Sequence, residues 1–177
     1  MVFVSDCQRD SGAEDHLPSM RRLKDREVKR ILRDFIGMYP SAAILESATN
    51  FDELTVGEEV VYFVDGTPLI VRTRAGLLPS LKFDKVINSL PRIIVDMGAV
   101  AHIANGADIM RPGVREVHSD FAKGALVLIV DEKYSKPIAL GRAEVDSAEM
   151  RFMGKGKVVG NVHYVGDALW RSFGKSG

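Results

Sequence analysis

The chain has 177 residues, 24 Lys and Arg against 24 Asp and Glu, and a formal net charge of zero. That balance gives no bulk attraction to a polyanion, so any contact with nucleic acid has to come from a local patch. The single cysteine, Cys7, excludes an intrachain disulfide and a zinc site built from cysteines, and the longest apolar run, Ala125–Val130, is far below the ~18 residues of a membrane span.

Residues 1–17 are polar, with no hydrophobic period, and read as a flexible tail. Met1–Val4 runs straight into Ser5 and Asp6, which is no secretory signal, so a cytoplasmic setting is expected. From about Pro18 a helix is predicted. Val28, Ile31, Leu32, Phe35, Ile36 and Tyr39 recur at helical spacing and make one apolar stripe. Arg22, Arg26, Lys29 and Arg33 are spaced by four, three and four, which sets them along another face of the same helix. Such a face is most simply a solvated one, with Asp25 as a local partner; its alternative use is contact with an RNA backbone.

Val60–Val64 and Pro68–Thr73 read as two strands joined at Asp65-Gly66-Thr67, since Asp-Gly tolerates the positive φ of a tight hairpin. Ser80–Leu90 reads as helical, and Pro91 closes the unit. A new unit opens with the strand Ile93–Val95. Asp96 is placed to cap a helix over Met97–Asn105, and Gly106 to stop it. Asp108–Met110 returns as strand, Pro112-Gly113 turns, and Ala125–Val130 suits a strand buried on both faces.

Lys133–Lys136 reads as a loop, with Asp131-Glu132 exposed on its hairpin. Pro137–Val145 is a strand, Ser147–Met153 a helical turn and Val158–Tyr164 a strand. Trp170 is expected to plug the open end of a barrel, with Tyr164 on its rim. Short strands between Gly and Pro turns indicate a barrel or sandwich.

No catalytic constellation stands out. His16, His102, His118 and His163 lack metal-ligand spacing, and there is neither a phosphate-binding Gly-x-x-x-x-Gly-Lys loop nor a Gly-x-Ser-x-Gly elbow. No catalytic residue, metal or cofactor is expected.

Two segments carry a resemblance. One is Asp96-Met97-Gly98-Ala99 followed by Gly106-Ala107-Asp108-Ile109-Met110-Arg111-Pro112-Gly113-Val114. The other is Asn161-Val162-His163-Tyr164-Val165-Gly166-Asp167-Ala168-Leu169-Trp170. Together they resemble the signature segments of a PUA domain, a small RNA-binding β-barrel, and the likeness extends over about Arg92–Phe173. The ending is similar to that of one subgroup, the malignant-T-cell-amplified-sequence proteins and their archaeal relatives. Tyr62-Phe63-Val64-Asp65-Gly66 fits the smaller domain that precedes the PUA domain there.

The resemblance implies an α+β N-terminal (pre-PUA) domain over 18–90 and a mainly β PUA pseudo-barrel over 91–173. It implies RNA contacts at Gly98, Ala99, His102, Asn105, Gly106, Ala107, Arg111 and Pro112. Small residues there let RNA approach the backbone, Arg111 supplies charge for phosphate, and His102 stacks or hydrogen-bonds. In many such domains a basic residue stands where His102 does. Lys155 and Lys157, flanking Gly156, form a basic turn that is either solvated loop or RNA contact.

The implied function is a non-catalytic RNA-binding protein of translation. It would act as a monomer on structured RNA, tRNA or rRNA, at the small ribosomal subunit, in initiation or recycling. A separate initiation-factor-like protein would be its partner. The alternative is an accessory subunit that binds a translation factor or an RNA-modifying enzyme mainly through protein contacts, with the strand edge around Val60–Thr73 as the docking edge. An RNA-modifying enzyme is the third and weakest reading, because the N-terminal unit is short and offers no clustered acid, base or nucleophile.

Overall fold

The structure is a computed structural model that describes residues 20–175. The tail 1–17, with Cys7 and His16, and the predicted helix start at Pro18 lie outside the described residues.

Strand β1 (Met20–Arg22) leads into helix α1 (Asp25–Met38). The helix thus begins later than its charge spacing suggested. Arg22 belongs to a strand, where its side chain reaches Asp52 and Asn50, not to the helix face of Arg26, Lys29 and Arg33. Glu27 accepts from the Lys24 N–H at the helix start and pairs with Arg21, whose guanidinium holds the Glu27 carboxyl down to about 2. The predicted apolar stripe is the inward face: Ile31 and Phe35 are buried, with Val28, Leu32, Ile36 and Tyr39 beside them.

A 3-10 helix (Pro40–Ser47) then precedes β2 (Phe51–Val56), β3 (Glu59–Val64), β4 (Thr67–Thr73) and β5 (Gly76–Pro79). These strands form an antiparallel sheet in the order β1-β2-β3-β4-β5. The predicted hairpin is present: Val64 pairs with Thr67 around Asp65 (φ 47°) and Gly66 (φ 80°). Because β3 and β4 are interior strands, the segment around Val60–Thr73 is no free docking edge; β1 and β5 are the edges. The helix predicted over Ser80–Leu90 is the single turn α2 (Asp84–Ile87).

The second sheet uses β6 (Arg92–Val95), β7 (Ile109–Met110), β8 (Val114–His118), β9 (Leu126–Asp131), β10 (Pro137–Ala143) and β11 (Lys157–Tyr164). Helix α3 (Met97–Ile103) follows β6, α4 (Ser147–Phe152) follows β10, and α5 (Ala168–Ser172) follows β11. The strand order is β7-β11-β10-β9-β6-β8, antiparallel except for β6 beside β9. Its two edge strands, β7 and β8, are separated in the chain only by the 3-10 turn Arg111–Gly113. Edges that close in sequence force the sheet to curl on itself into a half-barrel. The expected combination of an α+β N-terminal region and a mainly β PUA-type pseudo-barrel is the observed one.

Period-2 alternation explains how the layers join. In β9, Val127 and Ile129 point into the barrel core, while Leu126, Leu128 and Val130 point out of it. In β3, Tyr62 and Val64 face α1, while Val61 and Phe63 face the other way. The two outward faces meet in one apolar cluster that also takes in Leu140 and Leu169. Trp170 packs against this shared cluster beneath the Lys82 ammonium, 4.5 Å from its ring, and so sits where the sheets meet, not as a plug in the barrel end.

Candidate nucleic-acid interface

A cleft of about 470 Å³ opens between α3 and the β7–β8 seam. Its α3 wall is Asp96, Gly98, Ala99, His102 and Ile103; its opposite wall runs from Ala107 through Met110 to Pro112 and Gly113. Of the predicted contact residues, the cleft gathers Gly98, Ala99, His102, Ala107 and Pro112.

The sequence dictates this wall locally. Asp96 stands in extended backbone and its carboxylate accepts from the Ala99 N–H at 2.8 Å, starting the helix. Glu132, brought over by β9, accepts from the Met97 N–H at 3.0 Å. Gly113 is needed because a Cβ there would stand 3.0 Å from the Cβ of Ala99, pushing the two walls apart. The helix ends two residues before the expected Asn105, and Gly106 follows with φ 88°.

Asn161 fixes the other wall. Its Nδ2 donates to the carbonyls of Ile103 (3.0 Å) and Ala107 (3.1 Å), and its N–H donates to Asp108 at 2.9 Å. Tyr164 lies across Gly106, where a Cβ would meet the phenol oxygen at 3.0 Å. Asn161 and Tyr164 belong to the C-terminal signature segment, which is the signal that ties the two segments together. Neither was among the candidate contacts.

Arg111 is not free for phosphate. Its Nε donates to the Met150 carbonyl at 2.6 Å and its Nη1 to the Val114 carbonyl at 2.9 Å, so it holds the seam closed. Asn105 is exposed, with Nδ2 returned to the Ala101 carbonyl of its own helix. The ammonium of Lys157 lies 3.0 Å from Glu144 and 3.3 Å from Asp108, and these two hydrogen-bonded carboxylates raise its pKa. Lys155 is exposed and takes part in no ion pair among the described residues. The cleft wall therefore carries carboxylates and apolar surface but no Lys or Arg. That suits a base or sugar better than a phosphate.

Arg26, Lys29 and Arg33 remain together on α1, with Arg30, around a shallow depression. Arg33 pairs with its neighbour Asp34 at 3.2 Å. Arg26, Lys29 and Arg30 have no ion pair among the described residues. This face lies on the far side of the first sheet from the shared apolar cluster, so it is separate from the cleft.

Asp131 is buried, contrary to the exposed hairpin position expected for it, and only Glu132 is open to solvent. Burial opposes its charge, but backbone N–H groups of Tyr134, Lys136 and Lys133 outweigh that and hold its carboxyl below the ordinary range. Among the described residues no group of His, Cys, Asp and Glu is arranged to hold a metal ion, and no helix is long and apolar enough to cross a membrane.

A half-barrel closed at an Arg-Pro-Gly seam, with a capped short helix forming one wall of a cleft, is the arrangement of a PUA domain, and the PUA domain family matches residues 91–165. An uncharacterized protein of Methanocaldococcus jannaschii is 31% identical over 152 residues, covering 84% of this chain and 93% of its own. Translation machinery-associated protein 20 of Saccharomyces cerevisiae is 32% identical over 117 residues, covering 62% of this chain and 65% of its own. A PUA-domain crystal structure from Aeropyrum pernix superposes with a TM-score of 0.76 at 29% identity, covering 88% of this chain and 91% of that one. The chain belongs to the family of PUA-domain proteins that includes the archaeal proteins, translation machinery-associated protein 20 and the malignant T-cell-amplified sequence proteins.

Proposed function

We propose that this chain is a non-catalytic RNA-binding protein of translation, acting in the cytoplasm on structured RNA at the small ribosomal subunit. The observation that carries the reading is the cleft between α3 and the seam, which collects five of the predicted contact residues within a PUA fold. Its apolar and carboxylate lining favours one unstacked nucleoside, held by shape and by contacts to its base and sugar edges. Backbone charge is met elsewhere, at Lys155 and on the α1 face of Arg26, Lys29, Arg30 and Arg33. Because that face and the cleft lie on different layers, one RNA that touches both has to be large and folded, as tRNA and rRNA are. The relationship to translation machinery-associated protein 20 supports translation as the setting; a separate initiation-factor-like protein is the partner that the family resemblance implies.

The test is co-sedimentation with purified small ribosomal subunits across a salt series. Salt-sensitive association that weakens on reversing charge at Arg26 and Lys29 supports the reading. Association that is indifferent to salt and to those substitutions contradicts it. The accessory-subunit alternative loses ground here, since the edge it relied on is interior to the sheet.

A further inference from the structure

The most exposed large apolar side chain of the described residues is Phe152, 91% exposed at the end of α4. The same helix buries Met150 completely in the barrel core, so α4 is anchored with Phe152 facing water. Burial of a phenylalanine stabilises a fold, and this position forgoes that gain. Nothing in the packing of the barrel requires an aromatic ring there.

The segment that carries Phe152 is also tied to the seam of the half-barrel. Arg111 ties the seam to the carbonyls of Met150 (2.6 Å) and Arg151 (3.5 Å), and its own N–H donates to the Gly156 carbonyl at 2.8 Å. The segment from Phe152 to Gly156 is thereby held at both ends to the seam, next to the strand that carries Met110, which is half exposed and lines the cleft. Lys155, exposed and without an ion pair among the described residues, lies within that segment. An open aromatic face beside an uncompensated cation is what an unpaired base and its phosphate need. A single ring with charged neighbours is much smaller than the area over which proteins dock.

We propose that Phe152 is a stacking platform for one unpaired base of the RNA, next to the nucleotide held in the cleft, with Lys155 against the intervening phosphate. The proposal rests on the RNA-binding reading and extends its site by one nucleotide.

The experiment compares a short mixed-sequence single-stranded RNA with a fully paired RNA duplex, using wild type, F152A, F152L and F152W. Because the side chain is exposed, all four should melt alike. Loss of one stacked base should weaken single-strand binding about tenfold in F152A and F152L, with F152W restoring it and duplex binding unchanged. F152A binding single strands as wild type does would overturn the platform while leaving RNA binding itself intact. Rescue by F152L equal to that by F152W would also overturn it, since leucine has no π face. Failure of wild type to bind the single strand would also overturn the platform, whereas the RNA-binding reading stands or falls separately on association with small ribosomal subunits.

Discussion

Arg111 and Met150 are joined by a 2.6 Å hydrogen bond from the guanidinium Nε to the main-chain carbonyl, which binds the seam of the half-barrel to α4. A second donation from the same side chain, to the Val114 carbonyl, secures the first residue of β8. The residue that resemblance marked for phosphate thus spends its donors on the fold. Its replacement by Lys cannot reproduce a planar fork aimed at separate carbonyls. Arg111→Lys and Arg111→Ala should each lower stability by about 1.5–3 kcal/mol, read as a fall in the urea midpoint. If either melts like wild type, the seam does not depend on Arg111.

Gly141 lies at the bulge where β10 pairs with β11. A Cβ there would stand 2.3 Å from Val159 Cγ1 and 2.9 Å from the Gly160 carbonyl oxygen. Part of that clash is with backbone, which cannot rotate away. Gly141→Ala should destabilise by about 1–3 kcal/mol in denaturant titration, despite the general preference of alanine over glycine in strands.

Leu128 faces the cluster shared by both sheets and is fully buried. Leu128→Ala should remove about 2–5 kcal/mol. Because the cluster is common to both sheets, calorimetry should show one transition that shifts as a whole. Two separable transitions, only one of them moved, would mean the sheets unfold independently.

Asp167 caps α5 at the Trp170 N–H (2.7 Å), accepts from the Tyr164 N–H (3.0 Å) and lies 2.7 Å from His163 Nδ1. Burial opposes its charge, but the His163 contact and the two N–H donors outweigh it and hold the carboxyl below its ordinary 3.8. The folded value is depressed, so the stabilisation is present above 3.8 and is lost as pH falls through the lower folded value. Asp167→Asn should therefore be less stable than wild type at neutral pH, and the gap should close in acid. A gap that stays constant from neutral pH down through that range would show that the carboxylate charge contributes nothing.

The features legible in the sequence are those with a strong period or a special turn. Ala125–Val130 announced a strand buried on both faces, and the structure shows why: alternate residues serve two different cores. Asp65-Gly66 and Asp96 were legible because a hairpin and a helix start demand those residue types. Strands β1 and β8 were missed, since β1 is wholly exposed and β8 mostly so; neither shows a clean apolar alternation. Arg22 fell on a helical period by coincidence and sits in β1. Strand β5 is only four residues long and has Gly76 and Pro79 at its ends, so it shows no period in the sequence although Leu78 within it is fully buried. The role of Arg111 was not legible because its shortest hydrogen bond goes to the Met150 carbonyl, 39 residues away in the chain.

The central claim is that the cleft beside α3 receives RNA. It is tested most directly by titrating labelled tRNA into wild type, His102→Ala and Ala107→Glu. Both side chains are exposed and line the cleft, so the variants should keep the wild-type melting temperature. The account predicts salt-sensitive binding by wild type. His102→Ala should weaken it about tenfold, and Ala107→Glu, which fills the cleft and adds negative charge, more than that. Equal affinity in all three proteins, with the fold intact, would contradict it.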